Sequence, residues 1–159
     1  MWDKIIKAVA VVAGAIAGLY GGWSAMLTIL VVMMGIDYIT GVLVAVSGRS
    51  SKTEGGGLSS KVGFIGLAKK GVIMLIVLLA TLLDQAIGNT AMVFQSATVF
   101  YYIANEGLSV LENADILGVR TPAFIHQRLE AVRDKSDQGG KPPDSGLGAL
   151  TEDEREEEE

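Results

Sequence analysis

The stretch GRSSKTEGGGLSSKVGFIGLAKK, Gly48 to Lys70, decides how the rest of the chain is read. It carries Arg49, Lys52, Lys61, Lys69 and Lys70 against one acid, Glu54, a net +4. A long apolar block, Ile5 to Ser47, precedes it, and a second, Gly71 to Leu111, follows. Each block is interrupted near its middle, by Gly21-Gly22 in the first and Gly88-Asn89 in the second. Two apolar hairpins joined by a basic connector is the pattern of a membrane protein, and the Lys and Arg excess puts the connector on the cytoplasmic side.

The bulk numbers agree. Of 159 residues, 50% are hydrophobic, and mean hydropathy is +0.41, too apolar for a soluble domain of this size with a charged surface. The formal charge of −5 is a property of the C-terminus: Asp134 to Glu159 holds ten acids and three bases, which leaves +2 on the remainder. Blocks of like charge stay solvated, and Gly139 to Pro143 adds linker chemistry. Lys135 to Glu159 is therefore expected to be a disordered acidic tail. With no cysteine, disulfides and Cys-ligated zinc are excluded. His126 is the single histidine, has no metal-ligand partner at useful spacing and is read as an exposed polar residue of a surface helix. No phosphate-cradling loop or nucleophile motif occurs, so no enzyme and no cofactor is expected. Gly55-Gly56-Gly57 reads as plain flexibility.

From Ala8 to Ile36 no charged residue occurs, a run of 29. Gly21-Gly22-Trp23-Ser24 breaks it into a first helix, about Asp3 to Tyr20, and a second, about Ser24 to Ser47, with Ser24 as N-cap. A signal peptide is the competing account of the N-terminus, because Lys4 and Lys7 precede the run and Ala15-Ile16-Ala17 resembles a cleavage site. Ser59 or Ser60 can cap a helix leading into a third span, about Lys70 to Ile87, with Lys69 and Lys70 at the headgroups. A fourth runs from about Thr90 to Leu111. Neither outer turn holds Lys or Arg, so four spans with both ends cytoplasmic satisfy the positive-inside rule; three spans, with the first helix on the surface, is the alternative. Pro122 to Asp134 places Ile125, Leu129 and Val132 on one face of a short amphipathic helix at the cytoplasmic surface. The expected architecture is an all-α integral membrane protein. Its parts are an N-terminal hairpin (1–47), the connector (48–70), a C-terminal hairpin (71–117), the amphipathic helix (118–134) and the tail (135–159).

Three sets of residues stand out within the spans. Ala10, Gly14, Gly18 and Gly22 recur at four-residue spacing beside a row of Ala13, Ala17 and Gly21, which suits close helix packing either against the second helix or between subunits. Asp37, Asp84 and Glu106 are acids inside spans, where charge costs ~2.5–3.5 kcal/mol near the bilayer centre. A charge crossing the whole membrane potential is worth ~2.3 kcal/mol per 100 mV, so these acids are candidates for sensing depolarisation. Gln95, Thr98, Tyr102, Asn105, Ser109 and Glu112 form a polar stripe along the fourth helix, with Glu106 and Asn113 alongside. Such a stripe must face other helices or water.

GIDYITG (Gly35 to Gly41), SSKT (Ser50 to Thr53), LSSKVGFIGLAKK (Leu58 to Lys70), Leu83-Asp84 with Gly88-Asn89, and YYIANEGLSVLEN (Tyr101 to Asn113) together resemble the toxin-secretion/phage-lysis holin family. This family includes small phage holins and the holin-like proteins of clostridial toxin loci. The resemblance covers roughly Leu30 to Leu129; the Gly/Ala-rich first helix and the acidic tail fall outside it. It implies a multi-pass protein of the bacterial cytoplasmic membrane that homo-oligomerises among membrane lipid into lesions. These release an endolysin or toxin that need not touch it. An antiholin is a further partner the resemblance allows; nucleic acid is not one. Two other classes fit four short helices with membrane acids: a small proton-coupled exporter, and a membrane scaffold recruiting a partner through the connector or tail.

Overall fold

The computed structural model describes residues 2–137, so the tail expectation for 138–159 lies outside the described residues. Five helices follow one another: α1 (Trp2–Leu19), α2 (Ala25–Val46), α3 (Ser60–Ala86), α4 (Val93–Ile116) and α5 (Ala123–Asp137). The caps are the ones local chemistry favours. Ser24 Oγ accepts from the Leu27 amide at 3.2 Å to start α2, and Ser59 accepts from the Val62 amide to start α3. From Ser60 no proline or long loop intervenes before the span, so α3 begins ten residues ahead of Lys70 and takes up half of the expected connector. What remains of the connector is not merely flexible. Gly56, with φ +74°, lies against the Gly48 backbone, where any Cβ would collide, and the Ser50 amide donates to Gly56 O at 3.0 Å.

α4 is the central helix. It packs extensively on α2 and α5 and less on α3, while α2 and α3 touch little. Leu27, Leu30 and Met34 of α2, Val77 of α3 and Val99 of α4 form the core with Tyr20. Ser24 and Gly88 lie at one end of the bundle: a Cβ on Gly21 would meet Met92, Gln85 and Thr81. At the other end Arg49 Nη1 donates to Ile116 O at 3.1 Å, tying the connector to the end of α4. The two turns thus share one pole and the connector occupies the opposite one.

Three expectations are corrected. First, α1 and α2 are not a packed hairpin: α1 touches only α3. Tyr20 directs it there, donating through its hydroxyl to Met74 O at 3.0 Å. Gly14, Gly18 and Gly22 have no atom within 4 Å of a would-be Cβ, so their row is not used against α2. Second, α5 does not stand apart from the bundle. Leu129 packs over Gly107 of α4, where a Cβ would lie 2.9 Å from Leu129 Cδ1 and 3.3 Å from Met33 Cε of α2. Third, α5 continues through Lys135 to Asp137, into the expected tail. No Gly or Pro occurs before Gly139, and Lys135 in the last turn complements the helix dipole.

The outward surfaces of α2 and α3 are apolar: Ile39, Leu43, Val46, Phe64, Leu75 and Leu79 are each at least half exposed. A soluble protein does not tolerate such continuous apolar faces. α2 and α3 are also the two helices long and apolar enough to cross a membrane. Gly107→Leu is expected to overfill the α4–α5 contact, at ~1–3 kcal/mol. The check is limited trypsin digestion in detergent, in which cleavage at Arg128 and Arg133 should accelerate.

Candidate functional site

The acids expected inside the spans do not share one fate. Asp37 of α2 and Glu106 of α4 both reach Lys70 of α3: Lys70 Nζ donates to Asp37 Oδ2 at 2.8 Å and to Glu106 Oε2. Their side chains are 19%, 6% and 12% exposed for Asp37, Glu106 and Lys70. Lys70 therefore turns into the bundle and does not serve as the headgroup anchor its place beside Lys69 suggested. Asn113 Nδ2 completes the group, donating to Asp37 Oδ1 at 3.1 Å and Thr40 Oγ1 at 3.0 Å. One cation thus joins three helices. With every member ionised the group would carry −1, so Lys70 offsets only one of the two carboxylates.

Asp84 has another role. It is fully buried near the end of α3 and caps the next helix from outside it. Asp84 Oδ2 accepts from the Gln95 amide at 2.8 Å, and Oδ1 from the Phe94 amide at 3.2 Å and Asn89 Nδ2 at 2.7 Å. The residue at the N-cap position of α4, Met92, is left-handed at φ 49° and makes no side-chain cap, so Asp84 satisfies donors that would otherwise be orphaned. Beside it, Gln95 Nε2 donates to Tyr20 O at 2.8 Å and Thr81 Oγ1 at 2.7 Å, joining the turn after α1 to α3 and α4.

The polar stripe is accordingly split. Gln95 lies in the Asp84 network; Tyr102 packs at the margin of the apolar core; Thr98 is half-buried. Asn105, Ser109 and Glu112 line a cavity of about 610 Å³ between α2, the connector, α3 and α4, with Asp37, Lys70 and Glu106 on its wall. Of the basic residues, Lys52 and Lys69 also line it, Arg49 holds the end of α4, and Lys61 is exposed. At the α4–α5 corner Thr121 Oγ1 donates to Asp115 Oδ1 at 2.9 Å and lies 2.8 Å from His126 Nε2. His126 is thus a half-buried fastening of the corner instead of a free surface group. Among the described residues no group of side chains could hold a metal ion.

A family model described as the bacteriophage holin family matches residues 14–134, a span that takes in every residue of both networks. The chain belongs to the bacteriophage holin family. This holin-family chain is 35% identical over 123 residues to a Bacillus phage phi105 protein named probable holin, covering 77% of this chain and 84% of that one. It is 37% identical over 118 residues to an uncharacterised Clostridium perfringens protein, covering 74% and 82%. An uncharacterised Listeria monocytogenes protein is 35% identical over 137 residues, covering 84% and 91%. No solved structure matches the chain. The holin family is one of membrane pore-forming proteins, not enzymes.

Within this holin-family chain, Thr40, Thr81 and Met33 had given no sign of their roles, and Leu129 stood out only as part of an apolar helix face. Gly107 offered one usable signal: a glycine inside an otherwise well-formed helix marks a close approach.

Proposed function

We propose that the protein is a holin that accumulates in the bacterial cytoplasmic membrane, assembles with copies of itself and opens lesions through which a cell-wall hydrolase or toxin leaves. The observation that carries this is the family match across α2 to α5. The subunit crosses the membrane four times, with both ends cytoplasmic. Supporting this, the Lys- and Arg-free turns share one pole of the bundle and the basic connector the other. α4, which carries Glu106, spans because α2 and α3 pack against it and Lys70 of α3 meets that acid. Self-association runs through the small-residue row of α1 at Gly14 and Gly18, where a Cβ would meet nothing within 4 Å. Depolarisation triggers opening through the intramembrane acids; Asp37→Asn with lysis timing unchanged, with and without an uncoupler, would remove that residue from the trigger.

The test is induced expression in a bacterium with and without a co-expressed cytoplasmic endolysin. Abrupt loss of viability and dye entry are expected, with lysis only when the endolysin is present. The cavity beside Asp37 and Glu106 favours one second reading, a proton-coupled exporter. Continued growth with an intact barrier and resistance to a toxic substrate would select it.

A further inference from the structure

The surface of the bundle has two chemistries, and α5 is where they part. Outward on α2 and α3 the side chains are apolar. Outward on α5 they are mainly polar or charged, with Gln127, Arg128, Glu130, Asp134 and Lys135 exposed; Phe124, in its first turn, is the large apolar exception. At about 100° per residue Gln127, Glu130 and Asp134 lie opposite Ile125, Leu129 and Val132, which are half-buried toward α4, while Arg128 and Lys135 flank that apolar face.

The depth of this charged face follows from the packing. Thr121 meets Asp115 and Leu129 meets Gly107, so α5 runs antiparallel to α4, residue for residue. Gly107 is also against Met33, which lies eight residues into α2, about 12 Å along a helix of about 33 Å. Leu129 is therefore level with the interior of an apolar span, and α5 continues past it to Asp137. Side chains of that charge do not face hydrocarbon, and α5 has no further helix over it among the described residues.

We infer that α5 lines the water-filled lumen of the assembled lesion, with α4 as the wall behind it and α2 and α3 turned to lipid. This rests on the holin reading and assigns its wet surface to α5, because the stripe on α4 is split between the Asp84 network, the core margin and a cavity inside the subunit. A lone subunit surrounded by lipid cannot keep α5 docked at that depth. Docking and assembly are then one event, with α5 at the cytoplasmic surface beforehand.

The chain has no cysteine, so single-cysteine forms of the full-length protein can be labelled cleanly. Glu130→Cys, Asp134→Cys, Val32→Cys and Leu75→Cys are each labelled with an environment-sensitive fluorophore and reconstituted in vesicles holding a trapped dye. In vesicles that have released dye, labels at 130 and 134 should be quenched several-fold more by aqueous iodide than labels at 32 and 75. The label at 32 should answer to quenchers placed deep in the lipid. Gly107→Cys with Leu129→Cys should form a disulfide in the same vesicles. Where that pair fails to insert, spin labels at 32 and 130 should give one short distance.

An absent disulfide, or a broad and long distance, means α5 lies elsewhere and overturns the inference. So does quenching at 130 and 134 by lipid-borne groups, which would mean an α5 turned to lipid, or by neither quencher, which would mean a buried α5 interface, and so does a label at 32 that lies shallow. Failure of dye release from every form, the unsubstituted protein included, overturns the holin reading itself.

Discussion

Lys70→Met is expected to abolish lesion formation and to remove most of the protein from the membrane. Lys70 is the sole cation on Asp37 and Glu106, in a group at most 19% exposed. Taking one partner from a buried ion pair costs ~3–5 kcal/mol, most of it the charge left behind. Here two carboxylates are left behind on adjacent helices. Asp37→Asn should be far milder, because it leaves one cation facing one anion. The triple change Lys70→Met, Asp37→Asn, Glu106→Gln should recover accumulation, since a neutral replacement of a buried ion group is often harmless. Immunoblots of the membrane fraction and the time to lysis check all three. Wild-type levels for Lys70→Met alone would show that the three side chains do not depend on one another.

Asp84→Ala is expected to have the second-largest effect, on stability first. It strips the acceptor from the Phe94 and Gln95 amides and from Asn89. The bare, buried Gln95 amide costs ~1–3 kcal/mol and the part-buried Phe94 amide less, and Met92 supplies no substitute cap. Asp84→Asn keeps one acceptor oxygen and should fall between. Thermal unfolding in detergent, followed by helix content, should rank the proteins wild type, Asp84→Asn, Asp84→Ala. Equal midpoints would mean that another group caps α4.

The helices themselves were legible because their signals are local. Ser24 and Ser59 precede apolar runs, Gly21-Gly22 and Gly88-Asn89 punctuate them, and each acts in the structure where a reader of the sequence would put it. The site was legible as a set of residue types and not as an arrangement. Asp37 and Glu106 announce themselves as acids within apolar runs, yet their cation stands 33 and 36 residues away. Lys70, beside Lys69 at the edge of a span, looks like any headgroup anchor. Asp84 lies close enough to an outer turn to pass for a tolerated surface charge, and its capping partners lie ten and eleven residues on, beyond the turn. The rows of Ala and Gly on α1 show that a surface is fit for close packing without saying against what. α5 has an amphipathic pattern that suits a membrane surface or a helical partner equally, and only the absent side chain at Gly107 distinguishes them.

The cap on α4 also sets an order of events during synthesis. In the proposed four-span subunit α4 is the helix least able to enter lipid unaided: its first-turn amides point at an acceptor it does not own, and its one deep acid answers to a lysine on α3. Both partners leave the ribosome before α4 does. The nascent chain should therefore deliver α3 to the insertion machinery and hold it there until α4 arrives, so that the two enter the bilayer as one unit. A chain released after Ala86 would leave α3 in the membrane with Asp84 lacking the Phe94 and Gln95 amides and Lys70 paired with Asp37 alone, a chain that quality-control proteases should recognise and clear.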